Sequence, residues 1–312
     1  MLLSIIVPIY GVEKYLPACI DSLISLDNVN QYEILLINDG SQDNCKLICE
    51  RYNEKYSNIF YYEKENGGLS DARNYGLMIA KGRYIMFVDG DDSIEKNSIP
   101  KIISRISNED SDIICFGSHH IKNDVVVDSK YTSIDLKKTG KDFLKFQCEN
   151  GTFYAAVWNN LYRKNFLIDN ELFFKFGILH EDNEWTPRVF IKAASVVIGD
   201  CVFYKYYLRD NSICTKRDLT KNISDMRDTL LEMPQVFKNL KDDIAFSMIK
   251  DGMVSAYLGL FGQGAFYKKK EFFVDNNFIL KDLYFKRTKR KARIYVLSKK
   301  IFCLLYRIKN KA

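Results

Sequence analysis

Proline, glycine and histidine are scarce in the sequence: of 312 residues, 5 are Pro, 16 are Gly and 3 are His. Because 47% are hydrophobic and 28% charged, a disordered, collagen-like or low-complexity chain is excluded. No apolar run approaches the roughly 20 residues that span a bilayer, and no basic leader with a small-residue cleavage site opens the chain. We therefore expect a cytosolic protein of one large or two small domains whose first ten residues form a buried strand.

Cysteine spacing also excludes a class of site. None of the eight cysteines forms the CxxC pair that is typical of zinc ribbons and redox motifs. Most lie within apolar patterns, so we expect buried, reduced thiols and neither disulfides nor zinc.

Acidic residues are missing from one segment. The net charge is +6, yet residues 284–312 contain 11 Lys or Arg and no Asp or Glu, so the rest of the chain is mildly acidic. In this tail apolar side chains recur at helical spacing: Ile294, Leu297, Ile301, Leu304, Leu305 and Ile308. A basic amphipathic helix of this kind predicts peripheral contact with an anionic membrane. The alternative is a terminal helix packed on the domain or on a second subunit. Without an RNA- or DNA-binding motif, nucleic acid is not an expected partner.

The first 118 residues alternate between short β-rich runs and helical patterns, which predicts βαβ units. Strands are expected at residues 2–9, 32–37, 59–62, 84–88 and 112–116. Their near-continuous apolar character predicts a mostly parallel central sheet with helices on both faces. A hairpin is expected near 121–127, helices at 142–148 and 181–193, strands within 195–208, and helices from 218 onward. These patterns predict an α/β domain over residues 1–215 and a C-terminal helical extension over residues 216–312.

Three carboxylates follow the fourth predicted strand. Asp89, Asp91 and Asp92 lie within four residues, at the end of a sheet where ligands of open α/β folds bind. Crowded like charges favour a hard divalent cation, so we expect Mg²⁺ or Mn²⁺ shared with substrate phosphates. The alternative is a solvated turn that caps the next helix. Because Ile94 stands where an EF-hand needs glycine, a calcium loop is not expected.

Two other strand ends carry residues that suit a nucleotide. Asp39 follows the second strand and could accept a hydrogen bond from a base or a ribose, or simply form a turn or an N-cap. Gly67 and Gly68, with Ser70 and Arg73, offer backbone N–H donors, a helix N-terminus and a cation for a diphosphate. An ordinary loop with an N-cap is the alternative.

A third acidic site begins the helix near residue 181. The macrodipole favours Glu181 and Asp182 in a first helical turn, so capping alone could explain both. A carboxylate here could also act as a general base. His180 beside them suggests a metal, although two adjacent acids on a helix do not easily face one ion.

In combination and order, these motifs resemble the family 2 glycosyltransferases. The segments that carry the resemblance are Val7-Pro8-Ile9-Tyr10, Asn38-Asp39-Gly40-Ser41 with Asp43, Gly67-Gly68-Leu69-Ser70-Asp71-Ala72-Arg73-Asn74, Phe87-Val88-Asp89-Gly90-Asp91-Asp92 and Glu181-Asp182. The match is dense over residues 4–95 and sparser to about 215. Trp158-Asn159, Leu161-Tyr162-Arg163 and the stretch 204–212 with Arg209 are similar to a bacterial polysaccharide branch of the family. The resemblance implies a GT-A fold, inverting chemistry and a Mn²⁺ or Mg²⁺ requirement.

The same resemblance implies roles for the donor-binding residues. Pro8 and Tyr10 would line the base pocket and Asp39 would hydrogen-bond uracil. Gly68 and Arg73 would lie near the diphosphate.

For the metal and the chemistry, the resemblance implies a further set of roles. Asp91 would be the direct metal ligand, Asp89 would be shared between ribose and metal, and Asp92 would support them. Asp182 would take the proton from the acceptor hydroxyl, with Glu181 orienting it or contacting the acceptor, although the two could exchange roles. Arg209 would close over the diphosphate.

The resulting prediction is a metal-dependent glycosyltransferase of the hexosyltransferase class. It would move a sugar from a nucleotide donor, expected to be a UDP-sugar, to a hydroxyl of a lipid-linked or oligosaccharide acceptor. The process would be capsule, O-antigen or related polysaccharide synthesis at the inner face of the cell membrane. One alternative is a sugar nucleotidyltransferase. Such an enzyme needs a glycine-rich basic loop directly after the first strand, whereas residues 7–14 contain one glycine. The other is an inactive nucleotide-binding subunit at the membrane, against which the complete set of acidic motifs argues.

Overall fold

The computed structural model describes residues 1–130, 137–209, 218–241 and 243–309. Within these ranges nine strands form one sheet. The strands are β1 (Leu3–Ile9), β2 (Tyr32–Asn38), β3 (Ile59–Glu63), β4 (Tyr84–Phe87), β5 (Ser93–Ile94), β6 (Ile113–Lys122), β7 (Val125–Lys130), β8 (Asn160–Arg163) and β9 (Val196–Tyr207).

The sheet order is β3-β2-β1-β4-β8-β6-β9-β5, and β7 pairs with β6. The half built from β1 to β4 is parallel, as predicted. In the other half β6 and β9 also run parallel, but β8 runs antiparallel to both β4 and β6, which the expectation of a mostly parallel sheet did not include. The sheet is therefore mixed. The five predicted strands and the β6–β7 hairpin are confirmed, whereas β8 arises from a stretch whose pattern predicted no element.

Twelve helices surround this sheet in the described part of the chain. They are α1 (Leu16–Leu23), α2 (Cys45–Lys55), α3 (Leu69–Ile79), α4 (Ser98–Ser107), α5 (Gly140–Glu149), α6 (Lys164–Asp169), α7 (Asp182–Lys192), α8 (Thr220–Val236), α9 (Ile244–Gly264), α10 (Asn276–Leu280), α11 (Lys286–Leu297) and α12 (Lys299–Lys309). The tail that the sequence suggests as one amphipathic stretch is thus two helices, separated at Ser298.

Alternate side chains of the strands point to opposite faces of the sheet and belong to two hydrophobic cores, one on each face. On β1, Ile5 and Val7 belong to the core that includes residues of α1 and α4, whereas Ile6 belongs to the core that includes residues of α3 and α7. Helices on both faces are thereby confirmed, and the apolar strands are explained because both of their faces are buried. All described cysteines except Cys201 are buried.

The C-terminal helices extend the core on the face of α7. Buried side chains of α8, α9 and α11 belong to the same cluster as Trp185 of α7. The boundary expected near residue 216 lies outside the described residues, as does Cys214, and the division into two domains stays a prediction.

The helix α9 differs from the sequence expectation. It has 21 residues, and an 18-residue window within it has a mean hydropathy of 1.3, so by length and composition it could cross a membrane. Two-thirds of its apolar window is buried inside the protein, and it carries a buried Lys250 and Asp251. Lys250 Nζ donates to the carbonyl of Lys281 at 2.8 Å, and Asp251 Oδ1 accepts from Phe285 N at 3.0 Å. These contacts are those of a core helix.

Candidate functional site

The acidic loop after β4, residues 89–92, is anchored by the end of β9. Asp92 is buried, and its carboxylate accepts hydrogen bonds from the Tyr204 hydroxyl at 2.9 Å and from Tyr207 N at 3.0 Å. The same Tyr204 oxygen accepts from Asp89 N at 3.1 Å. Asp89 and Asp91 keep 24% and 36% of their side chains exposed. Asp92 and Tyr204 therefore fix the loop, while Asp89 and Asp91 stay accessible.

Arg209 contacts this loop from the segment after β9. Its Nη1 donates to Asp91 Oδ2 at 2.9 Å and lies 3.5 Å from Asp92 Oδ1. Its guanidinium carbon lies 4.2 Å from the centre of the Tyr15 ring. Burial and the neighbouring carboxylates raise the pKa of both Asp91 and Asp92. The loop therefore gains from a cation, and in this structure Arg209 provides one.

Arg73 on α3 connects the acidic loop to the start of α7. It is 2% exposed, and its Nη2 donates to Asp89 Oδ1 at 2.7 Å while Nη1 donates to Glu181 Oε1 at 2.5 Å. The guanidinium carbon lies 5.4 Å from the centre of the Phe174 ring. Burial alone would lower the pKa of Arg73, but Asp89 and Glu181 outweigh it and raise the pKa, so the charge is retained. Among the described side chains, Arg73 Nε is a buried donor without a hydrogen-bond partner.

The pair Glu181–Asp182 lies where the chain enters α7. Glu181 is 6% exposed and ion-pairs with Arg73. Asp182 accepts hydrogen bonds from Asn183 N and Nδ2, both at 2.9 Å, which are its hydrogen bonds in the described part of the chain. Burial and the charge of Glu181 raise the pKa of Asp182 to about 7, against the opposing effect of Arg73. A carboxylate with this pKa is suited to taking a proton near neutral pH.

The loop that precedes Asp182 is held by α8. Leu179 N donates to Asp225 Oδ2 at 2.8 Å, and the Asn222 side-chain nitrogen lies 2.9 Å from His180 Nε2. His180 has a positive φ of 62°, so the chain turns sharply here. Because Nε2 faces Asn222, the structure gives no support to metal ligation by His180. The sequence did not indicate that α8 would hold this loop.

At the other end of the site, Asp39 organises the glycine loop. It is 2% exposed, and its carboxylate accepts from Lys64 Nζ at 2.7 Å, Gly67 N at 2.9 Å and Gly68 N at 2.7 Å. The two N–H groups expected to be free for a diphosphate are therefore bonded to Asp39. Gly68 has a φ of 89°, which requires glycine at the N-cap of α3. The motif analysis did not include Lys64.

Pro8 and Tyr10 end the first strand beside these groups. Pro8 is buried in β1, in register with Ile37 of β2, while Tyr10 is 57% exposed. A Cβ on Gly90 would lie 3.1 Å from the carbonyl oxygen of Pro8, so the acidic loop passes close to this strand end. The structure thus brings the predicted residues of strands one, two and four to one edge of the sheet.

A divalent ion at Asp89 and Asp91 would have to be shared with another source of ligands. Their carboxylate oxygens are the ligands that Mg²⁺ and Mn²⁺ prefer, so the residues fit such an ion. Within the described ranges, no group of three or more His, Cys, Asp or Glu is arranged to hold a metal.

The stacked rings behind the acidic loop include residues of the polysaccharide-branch resemblance. Trp158 stacks on Tyr204 with ring centres 4.1 Å apart and on Tyr206 at 5.5 Å. This packing fixes the ring whose hydroxyl bonds Asp92. Residues 210–212 of that resemblance lie outside the described residues.

Comparison with known proteins identifies the family. A profile described as "Glycosyl transferase family 2" matches residues 4–170, more than half of the chain. The minor teichoic acid biosynthesis protein GgaB of Bacillus subtilis is 41% identical over 178 residues, which are 52% of this chain and 19% of GgaB. The chain covers 67%, 31% and 62% of the first three curated relatives that it matches.

Solved structures of similar fold cover nearly all of the chain. S. aureus TarS 1–349 in complex with UDP-GlcNAc gives a TM-score of 0.71 at 19% identity, covering 100% of this chain and 92% of that one. The mannosyltransferase PcManGT of Pyrobaculum calidifontis, in complex with GDP-Man and Mn²⁺, gives 0.54 at 12% identity, covering 99% and 86%. At these identities the likeness concerns the fold, which confirms the GT-A architecture expected from the resemblance. With the profile match, the chain belongs to the family 2 glycosyltransferases.

Proposed function

We propose that this glycosyltransferase moves a sugar from a UDP-sugar to an acceptor hydroxyl with inversion at the anomeric carbon. The observation that carries the proposal is the bridge made by Arg73, which ties Asp89 of the acidic loop to Glu181 beside Asp182. One buried cation thus holds the leaving-group side and the acceptor side of the site in a fixed relation. The proposal for UDP is supported by the UDP-GlcNAc complex of TarS.

On the donor side, Asp91 and Asp89 would hold Mn²⁺ or Mg²⁺ together with phosphate oxygens. Bound there, the ion would stabilise the negative charge that grows on the leaving diphosphate. Arg209 lies against Asp91 and would lie close to the same diphosphate. Arg73 contributes its positive charge and its unpartnered Nε.

The base of the donor would lie at the sheet edge formed by Pro8, Tyr10 and Asp39. Tyr10 is exposed and offers a ring face, while Asp39 holds Gly67 and Gly68 in place. Gly68 would then shape the floor of the donor site without offering its N–H. Uracil recognition by Asp39 would use Oδ2, because Oδ1 already accepts from Lys64 and Gly67, whereas Oδ2 accepts from Gly68 and keeps a second lone pair.

On the acceptor side, Asp182 would take the proton from the attacking hydroxyl. The structure favours Asp182 over Glu181 for this role, because Glu181 is ion-paired with Arg73 and Asp182 has a pKa of about 7. Glu181 would be the positioning residue. One base suffices for single displacement, so no covalent nucleophile is needed.

The acceptor is proposed to be a lipid-linked or oligosaccharide hydroxyl in the synthesis of a capsule, O-antigen or related surface polysaccharide. The name of GgaB, a teichoic acid biosynthesis protein, supports this class. The proposed location is the cytoplasmic side of the cell membrane, with which the basic C-terminal helices would make contact. A sugar nucleotidyltransferase is disfavoured because the segment after β1 has no basic glycine-rich loop. This segment is instead fixed by a hydrogen bond from Glu13 N to Asp43 Oδ2 at 3.0 Å.

The test is titration of UDP, GDP and dTDP into the protein with and without Mn²⁺, followed by UDP release from UDP-sugars with water as a slow acceptor. We expect UDP to bind tightest, only with Mn²⁺, and Asp91→Asn to lose that binding. Turnover of a UDP-sugar in wild type and its loss in Asp182→Asn would exclude the inactive subunit. Binding of no nucleotide under either condition would overturn the proposal.

A further inference from the structure

The last helix, α12, has two apolar faces, and only one of them is packed. Phe302 and Cys303 are buried, and Cys303 Sγ donates to the carbonyl of Phe261 on α9 at 3.6 Å. The Tyr306 ring lies against Gly262 of α9, where an added Cβ would come within 2.4 Å of the ring. This face therefore fixes α12 on the protein through α9.

The other face is exposed. Ile301, Leu304, Leu305 and Ile308 are 47–60% exposed, and Leu297 at the end of α11 is 84% exposed. At about 100° per residue, the four α12 residues share an arc of roughly 100° on the side opposite Phe302 and Tyr306. We call Leu297, Ile301, Leu304, Leu305 and Ile308 the exposed stripe. A contiguous stripe of large aliphatic residues marks an interaction site.

The charges around the exposed stripe select the kind of partner. Residues 286–309 contain no acidic residue, and seven basic residues are exposed: Lys286, Arg287, Arg290, Arg293, Lys300, Arg307 and Lys309. A second copy of this chain would bring the same positive charges face to face, which disfavours self-association. An anionic bilayer offers phosphates to the basic side chains and acyl chains to the stripe.

We propose that the exposed stripe inserts at the headgroup level of an anionic lipid bilayer while the opposite face of α12 stays packed on α9. Packing on the protein and contact with the membrane are thus made by two faces of one helix. The proposal deepens the proposed membrane location and does not depend on the catalytic assignments.

The helices beneath α12 also support the loop that precedes the proposed base, Asp182. α9 packs on α8, and α8 holds Leu179 and His180 through Asp225 and Asn222. Docking through α12 would therefore place on the bilayer the helical layer that supports Asp182. A lipid-linked acceptor suits an enzyme attached in this way.

The experiment is flotation of the full chain with vesicles of phosphatidylcholine alone or with phosphatidylglycerol at a molar ratio of about 7:3. We expect binding to the anionic vesicles, with half-saturating lipid about a hundredfold higher for L304E/I308E, because two inserted aliphatic side chains are lost. The double variant Lys300→Gln/Arg307→Gln should weaken anionic binding about tenfold. Leu231→Glu on α8, at a position 43% exposed, is the matched control and should bind like wild type.

Three results would overturn the proposal: equal binding to neutral and anionic vesicles, unchanged binding by L304E/I308E, or a stable dimer in solution that L304E/I308E abolishes. Thermal melts check that the variants fold, and the charge variant tests the proposal if L304E/I308E is unstable. UDP release from a UDP-sugar in solution is measured on the same samples. Absence of UDP release in wild type would count against the proposed function and not against membrane binding by the exposed stripe.

Discussion

Two carboxylate clusters face each other across Arg73, and they are stabilised differently. In the acidic loop, Asp89 contacts Arg73, Asp91 contacts Arg209 and Asp92 accepts from Tyr204. In the pair at the start of α7, Glu181 takes the other end of Arg73, and Asp182 accepts from the neighbouring Asn183. The acidic loop is contacted by two arginines and the Tyr204 hydroxyl, although burial and like charge still raise the pKa of Asp91 and Asp92. Asp182 is half-buried, takes its hydrogen bonds from Asn183, and has a pKa of about 7.

This difference separates two tasks within one acidic site. Because burial and like charges raise the pKa of Asp91 and Asp92, the acidic loop favours a further cation, which suits binding of a metal and release of a diphosphate. A buried carboxylate beside a like charge binds a proton more readily, which suits general base catalysis near neutral pH. The comparison predicts that variants of the two clusters fail in different ways.

The largest effect is expected for Asp182→Asn. Removal of a general base lowers turnover by about 10²–10⁴-fold, while donor affinity should stay within about twofold because Asp182 lies outside the acidic loop. UDP release under donor saturation gives kcat, and titration of UDP with Mn²⁺ gives affinity. If Glu181→Gln instead removed turnover and Asp182→Asn retained it, the roles of the two residues would be exchanged.

Asp91→Asn should fail at binding. Loss of a direct ligand is expected to weaken Mn²⁺-dependent UDP binding by at least roughly tenfold to a hundredfold, with turnover lost in consequence. Titration of UDP at several Mn²⁺ concentrations measures the effect, with Asp110→Asn, at a side chain 81% exposed, as the matched control. Normal Mn²⁺-dependent binding by Asp91→Asn would contradict its assignment.

A smaller effect is expected for Tyr204→Phe, which removes a hydroxyl that bonds both Asp92 and Asp89 N. Asp92 is left with an unsatisfied buried oxygen, so the free energy of unfolding should fall by about 1–3 kcal/mol. Mn²⁺-dependent UDP binding should weaken, because the loop is less fixed. Denaturant unfolding and UDP titration measure the two effects. Tyr207→Phe is the control, because the Tyr207 hydroxyl contacts Ser93 Oγ at 3.2 Å and not the acidic loop. An equal loss of stability and UDP binding in Tyr207→Phe would contradict the role given to Tyr204.

The sequence predicted the parallel half of the sheet because those elements are local. Each of the strands β1 to β4 is predicted by its own apolar run. Strands joined by one helix lie parallel and close together in the sheet, so their arrangement follows from their order along the chain. The strand β8 pairs with β4 and β6 across long stretches of chain. No local periodicity encodes that insertion, so β8 and its antiparallel pairs with β4 and β6 were missed.

The candidate site divides in the same way. Residue types at strand ends indicated Asp39 and Asp91, and an acidic pair at a predicted helix start indicated Asp182. The partners within the site were not predictable, because Lys64 reaches Asp39 and Tyr204 reaches Asp92 only through tertiary packing. The buried pairing of Glu181 with Arg73 likewise joins residues 108 positions apart.

The smallest effect is the shift of a pH profile. Burial and Glu181 raise the pKa of Asp182 to about 7, and a base must be deprotonated to act. The rate should therefore be half-maximal near pH 7, level well above it and fall tenfold per unit well below it. Glu181→Gln removes the charge that raises this pKa and leaves Arg73, which lowers it, so the acidic limb should move to lower pH by roughly one unit or less. The measurement is kcat for UDP release between pH 5 and 9 in wild type and Glu181→Gln. A limb that moves to higher pH would mean that Arg73, freed from Glu181, no longer acts on Asp182.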